Sequence, residues 1–200
     1  PLLKKQANQH CLISFLPNRQ NPGTTPAQYN LPLHVQGCMP TSRFRMQAQA
    51  QNFQNYDVTL RTNGNPRIDN VLTGTGNFAV IPQTTDRTIG LAGASGSINW
   101  SATELNRFAD GWSSITFGRD DSTADITINN YTNWRDPFTF RTGGDINING
   151  GQAATGNGAL TYAGDLTFAA NRTFTTAGGD LAFNGTIDAA GFNLIADIGA

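Results

Sequence analysis

From residue 97 onward the chain repeats one short pattern, two large apolar residues two positions apart with a small residue between them. It reads Ile98-Asn99-Trp100, Ile115-Thr116-Phe117, Ile126-Thr127-Ile128, Ile146-Asn147-Ile148, Leu166-Thr167-Phe168 and Leu181-Ala182-Phe183. In an extended strand this spacing sends both apolar side chains to one face and the middle residue to the other. Four copies are led by aspartate, at Asp125, Asp145, Asp165 and Asp180, and a fifth begins at Asp197-Ile198, so the steps are 20, 20, 15 and 17 residues. Three of these aspartates follow glycine, after Gly143-Gly144, Gly164 and Gly178-Gly179.

A strand this short cannot build a core alone. Strands that return every 15–20 residues can do so if the chain coils and each turn stacks on the last in parallel register. Neighbouring strands then lie ~4.8 Å apart along the axis, with Ile126, Ile148, Phe168 and Phe183 among the inward residues. Phe138-Thr139-Phe140, Thr173-Phe174-Thr175 and Phe192-Asn193-Leu194-Ile195 supply the other strands of each turn. The predicted class is all-β, a right-handed parallel β-helix (β-solenoid). The competing architecture is an antiparallel sandwich, but hairpin dipeptides are scarce and the same pattern returns at one-turn intervals.

Upstream the texture changes twice. Residues 56–96 carry short strand candidates, Val58-Thr59-Leu60, Val71-Leu72 and Phe78-Ala79-Val80-Ile81, separated by Asn63-Gly64-Asn65-Pro66 and Thr73-Gly74-Thr75-Gly76 turns. They begin the solenoid. Residues 1–55 are interrupted by Pro1, Pro17, Pro22, Pro26, Pro32 and Pro40 and pass into Gln47, Gln49, Gln51 and Gln54, an irregular N-terminal segment or linker. One short helix is predicted near 102–109: Ser101-Ala102-Thr103-Glu104 is a capping box, Leu105 and Phe108 share a face, and Gly111 supplies a stop. The repeats occupy 97–200 and are expected to continue further, because no capping turn follows Asp197.

Composition agrees. Thr (24), Gly (22) and Asn (21) make up a third of the 200 residues, while Glu104 is the only glutamate and Lys4 and Lys5 the only lysines. Such a chain favours strands and tight turns over helices. With 13 basic and 14 acidic residues the formal net charge is −1, which gives no field for nucleic acid. No apolar run approaches the ~18 residues that span a bilayer, and Cys11 to Leu16 is too short for a secretory core. Membrane insertion of this segment is therefore not expected.

Candidate chemistry is sparse. His10, Cys11, His34 and Cys38 fit no usual zinc spacing, and a Cys11–Cys38 disulfide stays open. Asp125, Asp145, Asp165 and Asp180 could form a calcium ladder, but Gly-Gly-Asp lacks the glycine spacing of calcium-binding solenoids, so backbone capping before each strand is the expected role. Asn129, Asn149 and Asn184 are expected to form a side-chain ladder. Asp120, Asp121 and Asp125 beside Arg119 form the best cluster for a carbohydrate-cleaving site, weighed against a solvated loop. Trp100, Trp112, Trp134 and Tyr131 could stack on sugars but are expected to pack in the core. Asn99, Asn130, Asn171 and Asn184 are glycosylation sequons. No catalytic, cofactor-binding or metal-ligating residue is assigned.

Thr88-Ile89-Gly90-Leu91, the capped helix at Ser101, the run Ala109-Asp110-Gly111-Trp112-Ser113-Ser114-Ile115-Thr116-Phe117-Gly118-Arg119-Asp120, then Asp136-Pro137-Phe138-Thr139-Phe140 and the Gly-Gly-Asp strands together resemble the β-strand-repeat region of large secreted surface proteins of the filamentous-haemagglutinin and haemolysin-like type, notably those of cyanobacteria. The resemblance covers about residues 85–200. It implies a non-enzymatic, extracellular structural or adhesive protein, a segment of a long fibre, filament or sheath that associates with itself and contacts cell-surface glycans. A glycan- or surface-binding module, favoured by a flat threonine-rich face, and a β-helix polysaccharide lyase or hydrolase, favoured by a groove of convergent carboxylates, are the alternatives.

Overall fold

The computed structural model describes residues 51–156 and 158–199 in full, and the backbone alone of 33–36 and 45–46. The cysteines and His10 fall outside these residues, and of His34 only the backbone is described.

The chain is a parallel β-solenoid whose coils present three faces. The first face stacks seven strands in the order β1 (Leu33–Gln36), β4 (Val58–Thr62), β7 (Asn77–Pro82), β10 (Ser114–Gly118), the first half of β13 (Phe138–Ile148), the first half of β15 (Leu160–Thr167) and β17 (Leu181–Phe183). The second face runs β9 (Ile98–Trp100), β8 (Ile89–Leu91), β11 (Ile126–Ile128), the second halves of β13 and β15, then β18 (Ile187–Asp188). The third face is β12 (Tyr131–Trp134), β14 (Gln152–Ala154), β16 (Arg172–Thr176) and β19 (Leu194–Ile198). Nearer the N-terminus, β2 (Arg45–Met46) pairs β5 (Arg67–Ile68), and β3 (Gln51–Asn52) pairs β6 (Leu72–Thr73). All these ladders are parallel, so the antiparallel sandwich is excluded.

The register corrects the period read from the aspartate motif. Asp125, Asp145 and Asp165 do enter successive second-face strands, with Ile126 opposite Ile146 and Ile146 opposite Leu166. Leu166, however, pairs Ile187, whereas Leu181 pairs Leu160 on the first face. The step from Asp165 to Asp180 is thus a passage from one face to the next, and Asp197-Ile198 lies on the third. True coils, measured along the first face, advance from Ile115 to Phe138, Leu160 and Leu181, steps of 23, 22 and 21 residues. A strand triplet reports which side chains face inward but not which wall of the coil it occupies.

Between β7 and β10 the chain makes an excursion. β8 continues onto the second face, turns through Ala92 and Gly93, both at positive φ, and returns as β9, which stacks on the N-terminal side of β8 while β11 stacks on the other. The helix α1 (Ala102–Leu105) follows with the capping box in place: Glu104 N–H donates to Ser101 Oγ, and Ser101 N–H donates to Glu104 Oε2 at 2.9 Å. It ends at Asn106, short of the predicted 109. Arg107 and Ala109 instead bond the backbone of Leu72 at 2.8 and 2.9 Å, so Phe108 sits beside β6 as a strand residue. A tertiary ladder bond on each side of Leu72 overrides a short helix that nucleates poorly.

The core is one aromatic spine. Phe78, Phe108, Trp100 and Phe117 follow one another at centroid separations of 5.0, 5.6 and 5.3 Å. The spine continues through Phe138, Trp134 and Phe140 to Tyr162, then to Phe183 at 5.5 Å. Ile126, Ile148 and Phe168 are buried as expected and Phe183 is half-buried. Trp100, Trp112, Trp134 and Tyr131 all lie in this core, not on a sugar-facing platform. Tyr162 is wholly buried and its hydroxyl has no partner among the described residues; burial pushes that hydroxyl well above its ordinary pKa. An orphan buried hydroxyl costs about 1–3 kcal/mol, so Tyr162→Phe is expected to raise the urea midpoint. A lowered midpoint would contradict the placement.

Candidate functional site

Residues of the first face alternate between core and surface along β4, β7 and the first halves of β13 and β15, and their outward members form two columns along the axis. One contains Thr59, Ala79, Thr116, Thr139, Thr161 and Ala182 in direct register. The signal was available in the sequence as the middle residue of Ile115-Thr116-Phe117, Phe138-Thr139-Phe140 and Leu160-Thr161-Tyr162, once these triplets are placed on one wall. The second column contains Arg61 opposite Ile81, then Gly118 opposite Arg141, then Ala163.

Over these columns lies an open groove of about 510 Å³. Its floor is Ala79, Ile81, Thr116 and Gly118, all small or apolar, and its rim carries the guanidiniums of Arg61, Arg119 and Arg141. β10 ends in a left-handed turn that only glycine fits: Gly118 has φ +97° and an added Cβ would meet the Arg141 carbonyl. This left-handed turn lets Arg119 N–H donate to Arg141 O at 2.9 Å and starts the loop that bears Asp120 and Asp121.

The charges on the rim differ in how firmly they are held. Arg119 donates from Nε and Nη2 to Asp121, the latter at 2.6 Å, and from Nη1 to the carbonyls of Pro82 (3.2 Å) and Gln83 (3.4 Å). That hydrogen-bonded pairing holds the Asp121 carboxyl below its ordinary range and raises the Arg119 guanidinium. Arg141, exposed, reaches Asp120 Oδ1 through Nε at 2.9 Å. Arg61, half-buried in the groove wall, makes no ion pair among the described residues. No charge run in the sequence announces the cluster, because 80 positions separate Arg61 from Arg141 and only the coil register joins them.

The carboxylate cluster read from the sequence divides. Asp120 and Asp121 line the groove, but Asp125 stands at the entry to the second face, where its Oδ1 accepts the N–H of Asp145 at 3.0 Å and its Oδ2 accepts from Asn147 Nδ2 at 3.4 Å. Asp165 accepts the N–H of Thr186 at 2.9 Å, which holds its carboxyl below the usual range. These aspartates therefore cap backbone, each in the coil that follows. Among the described residues no three Asp, Glu, His or Cys side chains converge as metal ligands. Asn149 Nδ2 donates to Asn129 Oδ1 at 3.3 Å, but Asn184 lies on another wall; a second side-chain column runs along the stack beside it, Thr167 Oγ1 donating to Asn147 Oδ1 at 2.6 Å.

One functional-looking acid was missed by sequence reasoning. Asp136 is buried, and its Oδ1 accepts the N–H groups of Gly111 (2.8 Å) and Trp112 (2.9 Å), tying the loop before β10 to the start of the next coil, while Oδ2 has no partner among the described residues. Burial raises its pKa against the two N–H bonds, with Asp110 adding to the rise and Arg135 opposing it. The folded form thus holds its proton more tightly than the unfolded chain. That contribution to stability is full below the unfolded value of ~3.9 and is lost as pH rises through the raised folded value. Asp136→Asn keeps the acceptor without the charge, so urea midpoints of the variant should fall less than those of the parent between pH 4 and pH 7. Equal declines would contradict this.

The fold and groove define the class: a three-faced parallel β-solenoid carrying an arginine-rimmed groove across one wall. Comparison of the chain with protein-family models, curated proteins and solved structures finds no match. Among the described residues no helix is long and apolar enough to cross a membrane.

Proposed function

We propose that this chain is a non-enzymatic structural and adhesive element, part of a long extracellular or cell-surface fibre, filament or sheath that associates with itself along the solenoid axis. The observation that carries the reading is the single parallel register of the coils, whose three walls stack along one axis around a continuous aromatic core and so form a stiff rod. Low charge and threonine-rich walls suit a hydrated rod, and the ion-paired Asp120 and Asp121 support binding over polysaccharide cleavage, which needs a free acid and base.

The test is electron cryo-microscopy of material assembled from the chain. Rods with a ~4.8 Å repeat along their length are the expected result. Single compact particles at every concentration would overturn the proposal.

A further inference from the structure

We infer that the groove on the first face binds an extended acidic polysaccharide lying along the solenoid axis, its carboxylates seated on Arg61 and Arg141. The inference names the partner class for the adhesive reading above and rests on it for its biological setting.

Three features converge. First, the rim holds three guanidiniums against two carboxylates, Arg61, Arg119 and Arg141 against Asp120 and Asp121, so its balance is positive in a chain whose net charge is −1. Second, the cations are unequally committed. Arg119 is consumed by Asp121 and two backbone carbonyls and serves as a fixed post. Arg61 has no ion pair among the described residues, and Arg141 is exposed and pairs with the exposed Asp120 at 2.9 Å. A guanidinium fork suits a carboxylate. Third, the backbone positions of Arg61 and Arg141 are three ladder steps apart, β4 to β7 to β10 to β13, or about 14 Å along the axis, a span that suits a polymer with acidic groups at intervals.

The floor fits sugar rings. Ala79 and Ile81 offer an apolar strip to the C–H face of a pyranose, and the Thr116 hydroxyl, next to Thr139 in the threonine column, offers donor and acceptor to ring hydroxyls.

The experiment is isothermal titration calorimetry of the full chain with oligogalacturonate at low salt, with a sulfated oligosaccharide and neutral dextran as parallel arms. Oligogalacturonate is expected to bind and dextran not to. Arg61→Gln should weaken binding about tenfold, the loss of one charge-assisted contact, Arg61→Gln/Arg141→Gln should remove it, and Arg67→Gln, outside the groove, should bind like the parent. Unchanged circular dichroism melts confirm that the variants fold. Binding of the sulfated chain alone would overturn the carboxylate assignment, and binding of neither, or binding indifferent to Arg61, would overturn the site. The readout is binding by single chains, so its failure is distinct from a failure to form rods.

Discussion

Gly118→Val is expected to destabilise the solenoid by roughly 3 kcal/mol or more, through two costs that add at one position. A β-branched residue cannot adopt φ +97° without strain, which costs about 1–3 kcal/mol. Its Cβ would also press on the Arg141 carbonyl and lie 3.1 Å from Ile126 Cδ1, and overpacking of this kind costs about 1–3 kcal/mol. Relief requires β10 to move off β13, which breaks the Arg119-to-Arg141 backbone bond and displaces the groove rim with it. Urea denaturation reads the loss directly. A variant within about 0.5 kcal/mol of the parent, the range of an innocuous surface change, would show that the turn is not as described.

Trp134→Ala is the second large effect, about 3–5 kcal/mol. The indole is fully buried on β12, with ring centroids 4.4 Å from Tyr131, 4.6 Å from Phe138 and 5.2 Å from Phe140, so it links the third face to the first. Its Nε1 donates to Gln152 Oε1 at 3.1 Å, and Gln152 Nε2 donates to the carbonyls of Asn129 and Gly150. Truncation leaves a cavity and also strands the buried Gln152 carbonyl, so the two losses compound. Trp134→Phe refills most of the volume and isolates the hydrogen-bond share, which predicts a clearly smaller loss. Equal losses for the two variants would contradict that division.

How much of this was legible in the sequence depends on how far each feature reaches along the chain. The inward alternation of Ile115-Thr116-Phe117 or Ile146-Asn147-Ile148 is local, and it carried the solenoid class. The capping box at Ser101 is equally local and is present as read. The coil length was not local. Asp180 begins a triplet identical in pattern to that of Asp165, yet the two stand on different walls, and only pairing tells them apart. Phe108 reads as helical until the backbone of Leu72 claims its neighbours. The groove was the least visible feature, because Arg61, Ile81, Thr116 and Arg141 each belong to a different coil and one intervening excursion, 83–113, breaks any fixed spacing between them.

The central claim is the stacking of coils in one parallel register, and nuclear Overhauser contacts in a triple-labelled sample test it most directly. The account predicts backbone and side-chain contacts linking Thr116 to Thr139, Thr139 to Thr161 and Thr161 to Ala182, with Leu166 joined to Ile187. Close Hα–Hα contacts between sequence-adjacent strands, the mark of antiparallel hairpins, or contacts joining Leu166 to Leu181, would contradict it.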